Sequence, residues 1–294
     1  MMIEIRKTVK TIFQRIEEAT LYSNLNPSMF DTLIPEQYRG SNRDYQKFIV
    51  ISHHRSASSL IINTLQRHPN VFRFSEIFLP NNVQLQKPEY VEGSKRLLYL
   101  RKQYPVEFLE RFIFTGYQDS VHAMGFKLFP EQLEFPYMAP VWDWIEANTD
   151  IKIIFLTRED LLAYYTSFVL ALKTKLWGVA TPKQLAKAEK ERQKNPTVRL
   201  EYDKCLAAFE KRKRLNDYAL DRCKNHDILK VSFEDVTSDL NRSLLRSQEF
   251  LGLEPQELKV RTKRQQVRPM SDVISNYQEL KEQFASTEWS YLFA

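Results

Sequence analysis

Residues 48–60 read FIVISHHRSASSL, and the fold turns on how this stretch is parsed. Residues 48–52 form a short apolar run rich in β-branched side chains, which predicts a strand buried on both faces of a parallel sheet. Two histidines end the run. Arg55-Ser56-Ala57-Ser58-Ser59 then brings one cation, three hydroxyls and small side chains, after which Leu60, Ile61 and Leu65 take up a helical period. A strand, a turn of hydroxyl residues and a helix N-terminus present outward N–H groups at the positive end of a dipole, so a phosphate-like anion is expected there. The competing reading is that Ser56, Ser58 and Ser59 cap the helix.

Further strands are predicted outward from this one. Val71-Phe72-Arg73-Phe74 leads to Ser75-Glu76; residues 124–129, 151–157 and 228–233 show the same short apolar pattern. Helical patterns lie between them at 140–147, 159–177, 181–225 and 234–253, the last closed by Gly252. This alternation predicts an α/β fold with a mostly parallel central sheet flanked by helices, entered through a P-loop-like strand-loop-helix, with ligands at the carboxyl ends of the strands. One domain is expected over 1–294, with 1–45 as an N-terminal helix and lead-in and 172–225 as a charged helical insertion. Residues 81–122 read only as polar helix and loop with scattered apolar anchors.

A net charge of +6 suits an acidic ligand but is too modest to argue for nucleic acid. Ile5, Val9, Ile12, Phe13 and Ile16 make residues 1–20 an amphipathic helix, neither a signal segment nor a transmembrane span; it docks on the protein's own core or on a membrane surface. Cys205 and Cys223 have no metal-ligand spacing and point to a reducing, cytoplasmic setting. Lys211-Arg212-Lys213-Arg214 reads as a solvated helix face, and His68 as a helix C-terminal cation. Five scattered histidines include no H-E-x-x-H, so no metal is expected.

The six glycines cannot spell G-x-x-x-x-G-K-[ST] or G-x-G-x-x-G anywhere, which removes the common nucleoside-triphosphate and dinucleotide loops as motifs. His54-Arg55-Ser56-Ala57-Ser58-Ser59-Leu60-Ile61 instead resembles the 5′-phosphosulfate loop of sulfotransferases, which use 3′-phosphoadenosine-5′-phosphosulfate (PAPS). In the carbohydrate-type branch that loop reads approximately P-R-S-G-[ST]-[ST]-L-L. Two positions depart: His54 stands for the proline and Ala57 for the glycine, so a positive φ at residue 57 would strain the loop. Three more segments match in order: Thr157 to Ser167, Val231-Ser232-Phe233-Glu234-Asp235, and the basic stretch 261–277.

The resemblance implies a soluble enzyme that transfers a sulfuryl group from PAPS, leaving 3′-phosphoadenosine-5′-phosphate (PAP), to a hydroxyl of a carbohydrate, glycolipid or small molecule. It implies cofactor contacts from Arg55, Ser56, Ala57, Ser58, Ser59 and Leu60 at the 5′ end and from Arg158 and Ser167 at the 3′-phosphate. Lys263 or Arg264 would come from a loop folded over the nucleotide. Arg55 would meet the charge on the leaving phosphate, and Glu76 would take the acceptor's proton. His53 and His54 are rivals for that base, or hydrogen-bonded strand-end residues. Lys127 stands near the acceptor, or pairs with Glu131 or Glu134. Arg158 has the alternative of an ion pair with Asp160, and Ser167 that of a helix-surface serine. Two other classes stay open: a nucleotide or sugar kinase with an atypical phosphate loop, and a non-catalytic nucleotide- or glycan-binding protein on the same scaffold. Neither the acceptor nor the oligomeric state is legible.

Overall fold

In the computed structural model, five parallel strands form one sheet in the order β2-β3-β1-β4-β5. They are β1 (Gln46–Ser52), β2 (Val71–Glu76), β3 (Ala123–Leu128), β4 (Lys152–Thr157) and β5 (Ile228–Ser232). The structure describes residues 25–33, 39–80, 83, 95–176, 186, 190, 194, 197–259 and 268–293.

The strand period of two sends alternate residues to opposite faces. Ile49, Ile51, Phe126, Ile153 and Phe155 enter one cluster, while Phe48, Val50, Ile154 and Leu156 enter the other. All are fully buried, each worth about 1.5–3 kcal/mol relative to exposure. That is why β1 and β4 read as unbroken apolar runs. Gly125 admits the close approach of β3 to β1, since a Cβ there would lie 2.6 Å from the Phe48 ring.

Six helices matter to the site: α1 (Ser58–Leu65), α2 (Ala139–Ala147), α3 (Leu161–Thr174), α4 (Tyr202–Arg222), α5 (Phe233–Ser238) and α6 (Leu240–Phe250). After β1 the chain runs through α1 toward β2 on one side, and after β4 it goes to β5 on the other. The carboxyl ends of β1 and β4 therefore flank a topological switch point. A third apolar cluster, including Leu161, Leu162, Phe209, Phe284 and Trp289, holds α3 against α4.

The α/β class and all five strands are as expected; several helices are not. The helix expected over 234–253 is two, because Asp239 is extended (φ −144°, ψ 90°) and its side chain accepts from the Arg242 N–H at 2.9 Å to start α6. Of the stretch 81–122, residues 95–122 hold far more core than scattered anchors. Helix Lys95–Gln103 buries Leu97 and Leu100, and the π-helical turn Phe108–Ile113 buries Phe108, Leu109, Phe112 and Ile113. Of the helix expected over 181–225, the long continuous part described is α4. The expected helix at 1–20 and the basic stretch 261–267, with Lys263 and Arg264, lie outside the described residues. His68 is held by hydrogen bonds, its Nε2 to the Glu254 carbonyl at 2.9 Å and its Nδ1 with the Asn70 N–H at 3.2 Å. Among the described residues no helix is long and apolar enough to cross a membrane.

Candidate active site

The turn after β1 is built on two left-handed residues, Arg55 (φ 63°) and Ala57 (φ 61°). Each costs about 1–2 kcal/mol that glycine would not. In exchange the backbone swings from the strand into α1 within a few residues. Ala57 is the N-cap residue of α1 and offers no side-chain cap; its carbonyl accepts from Leu60 (2.9 Å) and Ile61 (3.1 Å). The reading of the serines as caps is thus corrected. Ser56 Oγ accepts from Arg212 Nη2 at 2.6 Å and Ser59 Oγ accepts from Lys127 Nζ at 2.9 Å. With no side chain capping α1, the first-turn N–H groups other than those of Leu60 and Ile61, which bond the Ala57 carbonyl, can face an anion. Leu60 donates its N–H to the Ala57 carbonyl, and its side chain packs on the core.

Arg158 ends β4 beside this turn. Its Nη1 donates to the Arg55 carbonyl at 3.0 Å, and its guanidinium lies 4.1 Å from the Phe233 ring centroid. Burial lowers its pKa to about 10, with Arg212 and Arg55 adding to the fall and Asp160 and Glu234 opposing it. Arg158 Nε is buried without a partner. Ser167, on α3, accepts from Arg55 Nε at 2.9 Å. Arg158 and Ser167 are therefore linked through Arg55, and Ser167 is no idle surface serine. The alternative of an ion pair with Asp160 gives way to the carbonyl contact and the ring contact, while the Asp160 side chain caps α3 by accepting from the Ala163 N–H at 2.8 Å.

Glu76 and Lys127 are cross-strand partners at the ends of β2 and β3, where the register slips between Arg73 and Glu76. Such an irregularity re-aims a side chain, and here Glu76 Oε1 lies 2.6 Å from Lys127 Nζ. The lysine side chain is 1% exposed and the glutamate 17%. Burial pushes the Lys127 pKa down, while the charge and hydrogen bond of Glu76 hold it up. The alternative pairing with Glu131 or Glu134 is not found: Glu131 bonds to His53 and Glu134 pairs with Lys211.

Both ring nitrogens of His53 are engaged, Nδ1 with Glu131 at 2.7 Å and Nε2 with Asn216 Oδ1 at 2.9 Å. That is a strand-end histidine held on two sides. His54 stacks on Phe129 with centroids 3.9 Å apart, and burial lowers its pKa against the pull of Glu131 and Glu76.

A cavity of about 930 Å³ opens over these strand ends. His53, His54, Arg55, Ala57, Ser58, Ser59, Glu76 and Lys127 line it, whereas Ser56, Leu60, Arg158 and Ser167 are not among its lining residues. Sequence reasoning missed the far wall: Tyr164, Tyr165 and Phe168 from α3, and Lys211, Arg212 and Leu215 from α4. Arg212 is 2% exposed, not part of a solvated face.

No protein-family model matches the chain. It is 24% identical over 251 residues to Nodulation protein H of Rhizobium meliloti, a match covering 84% of this chain and 94% of that protein. Among solved structures it is similar to a sulfotransferase from Alicyclobacillus acidocaldarius, with a TM-score of 0.46 and 17% identity, covering 81% of this chain and 91% of that one. It is also similar to mouse sulfotransferase SULT7A1 complexed with PAP, with a TM-score of 0.32 and 14% identity, covering 90% of this chain and 80% of that one. Sulfotransferases are what this chain is similar to, in the motifs of its sequence and among the structures it matches.

Proposed function

We propose that the protein transfers a sulfuryl group from PAPS to a hydroxyl of a carbohydrate, glycolipid or small-molecule acceptor. One observation carries the reading: the groups that the motifs assign to two different phosphates interlock at one strand end, Arg158 through the Arg55 carbonyl and Arg55 through Ser167. The residues fit such a ligand. Arg158 Nε and two nitrogens of Arg212 are buried donors without partners, and buried donors of this kind are costly unless something completes them. Arg55, Ser56, Ala57, Ser58 and Ser59 would hold the 5′ end, and Arg158 and Ser167 the 3′-phosphate.

When bound, PAPS supplies a sulfuryl group already joined to a phosphate leaving group. The chain's own work is to position and neutralise. Glu76 accepts the acceptor's hydroxyl proton, Lys127 holds that carboxylate and the charge developing beside it, and Arg55 faces the leaving oxygen. His54, half-buried against the Phe129 ring, is the alternative base.

Thermal shift tests the ligand. At a hundred times its dissociation constant PAP should add about 2.7 kcal/mol of stability, whereas ATP and NAD, which lack the 3′-phosphate, should add little. Equal shifts with ATP and PAP would reject the assignment. For the base, Glu76→Gln should lower turnover about a hundredfold to ten-thousandfold with PAP still bound. Near-normal turnover there, with a dead His54→Gln variant, would transfer the role to imidazole.

A further inference from the structure

We propose that Arg212 is an anion-binding residue of the donor site, delivered by α4 from outside the strand-loop frame to grip the 5′-phosphate end of the nucleotide. The assignment rests on the PAPS reading and adds to it a residue and a helix that the motifs do not include. Arg212 lies on the buried stripe of α4, with Cys205, Phe209, Leu215 and Ala219. Its guanidinium sits 3.9 Å from the Tyr164 ring centroid, and its Nη2 donates to Ser56 Oγ inside the phosphate loop. Nε and Nη1 are buried and unpartnered.

Two carboxylates act on Arg212, Glu131 and Glu234, and Oε2 of Glu131 is buried without a hydrogen-bond partner. Glu131 bonds to His53, and Glu234 accepts from the N–H groups of Glu159 and Asp160. Arg158 and Arg55 bring further positive charge to the same turn, with Arg158 and Arg212 in electrostatic reach of each other. Like charges this close lower each other's protonation and favour an anion between them. Nε and Nη1 of Arg212 lie on different edges of the planar guanidinium, so each can donate to an anion singly while Nη2 stays on Ser56. Because Ser56 ties the side chain to the loop, the phosphate it meets is the one the loop holds.

A purely structural Arg212 would instead serve by stacking on Tyr164 and bonding Ser56, and the two roles separate in binding data. Calorimetric titrations of wild type, Arg212→Met and Arg212→Gln would use adenosine 3′,5′-bisphosphate, adenosine 5′-monophosphate and adenosine 3′-monophosphate, beside ligand-free melting curves. We expect Arg212→Met to weaken the two ligands that carry a 5′-phosphate by about tenfold or more, as for a lost charge-assisted hydrogen bond. The 3′-monophosphate should bind unchanged, and the ligand-free Tm should hold or rise as an uncompensated buried charge disappears. Unchanged bisphosphate affinity, or equal weakening of all three ligands, would overturn the proposal. Should Arg212→Met not fold, Arg212→Gln, which keeps a donor for Ser56, carries the same comparison; if neither folds, Arg212 is structural and the proposal falls. Wild type that binds none of the three would instead sink the PAPS reading, and this proposal with it.

Discussion

Replacing Glu76 by glutamine removes the counter-charge of a lysine that has almost no access to water. The pair is 2.6 Å apart, so at an effective dielectric of about 20 its gross attraction is roughly 6 kcal/mol. Part of this is recovered, since an amide oxygen still accepts one hydrogen bond from Nζ and water reaches a side chain that is 17% exposed. The expected net loss of folding stability is about 3 kcal/mol, the lower end of the range for breaking a buried pair. The loss depends on pH in a definite sense. Burial holds the Lys127 pKa below its unfolded value even with Glu76 present. Between the two values the unfolded chain binds more protons, so stability rises with pH across that window. Removing Glu76 drops the folded pKa further and widens the window downward. The deficit of Glu76→Gln is therefore largest near neutral pH and shrinks as pH approaches the free lysine value of about 10.4. Urea unfolding of wild type and variant at about pH 7 and about pH 10 measures both. A deficit under about 1 kcal/mol at neutral pH, or one that does not shrink on raising the pH, would refute the reasoning.

Two further outcomes are expected. Ala57→Gly should raise stability by up to about 1 kcal/mol, because φ 61° is strained for alanine and open to glycine; a lower Tm would mean that the methyl's packing outweighs the strain. Arg158→Ala should weaken PAP binding by about 1.5–3 kcal/mol, as for a hydrogen bond to a charged group, in a protein that still folds. Calorimetric PAP affinity equal to wild type would move the 3′-phosphate elsewhere.

How the pair Glu76–Lys127 forms shows where reading the sequence stops. Each residue was recognisable alone, one after a short strand and one within another, yet their partnership depends on β2 adding to the outer edge of β3 and on a register slip just before Glu76. Lys127 looked as well matched to Glu131 or Glu134, which are nearer in sequence. Chain proximity carries no information about which neighbour a strand acquires across a sheet. Similarly, the loop's positive φ at Ala57 was foreseeable from the glycine it replaces, whereas the second left-handed residue, Arg55, carried no local signal.

The basic run 211–214 is the clearest case of a misleading pattern. By charge it reads as solvated. By spacing it does not, because Arg212 falls on the stripe Cys205, Phe209, Leu215, Ala219, and the arginine on that stripe is the buried one while Lys213 pairs at the surface with Glu288. The stripe was visible in the sequence; what faces it was not.

By itself the sequence determined the α/β class, all five strands and the strand-turn-helix at residues 48–65, since runs of β-branched residues and a hydroxyl-rich turn act over a few neighbouring residues. Only the tertiary structure decided the sheet order, the pairings Glu76–Lys127 and His53–Glu131, the chain of contacts from Arg158 through Arg55 to Ser167, and the burial of Arg212 against Ser56. Those contacts join residues far apart in the chain, and what selects them is the packing of whole elements on the two faces of the sheet, a property that no local window contains.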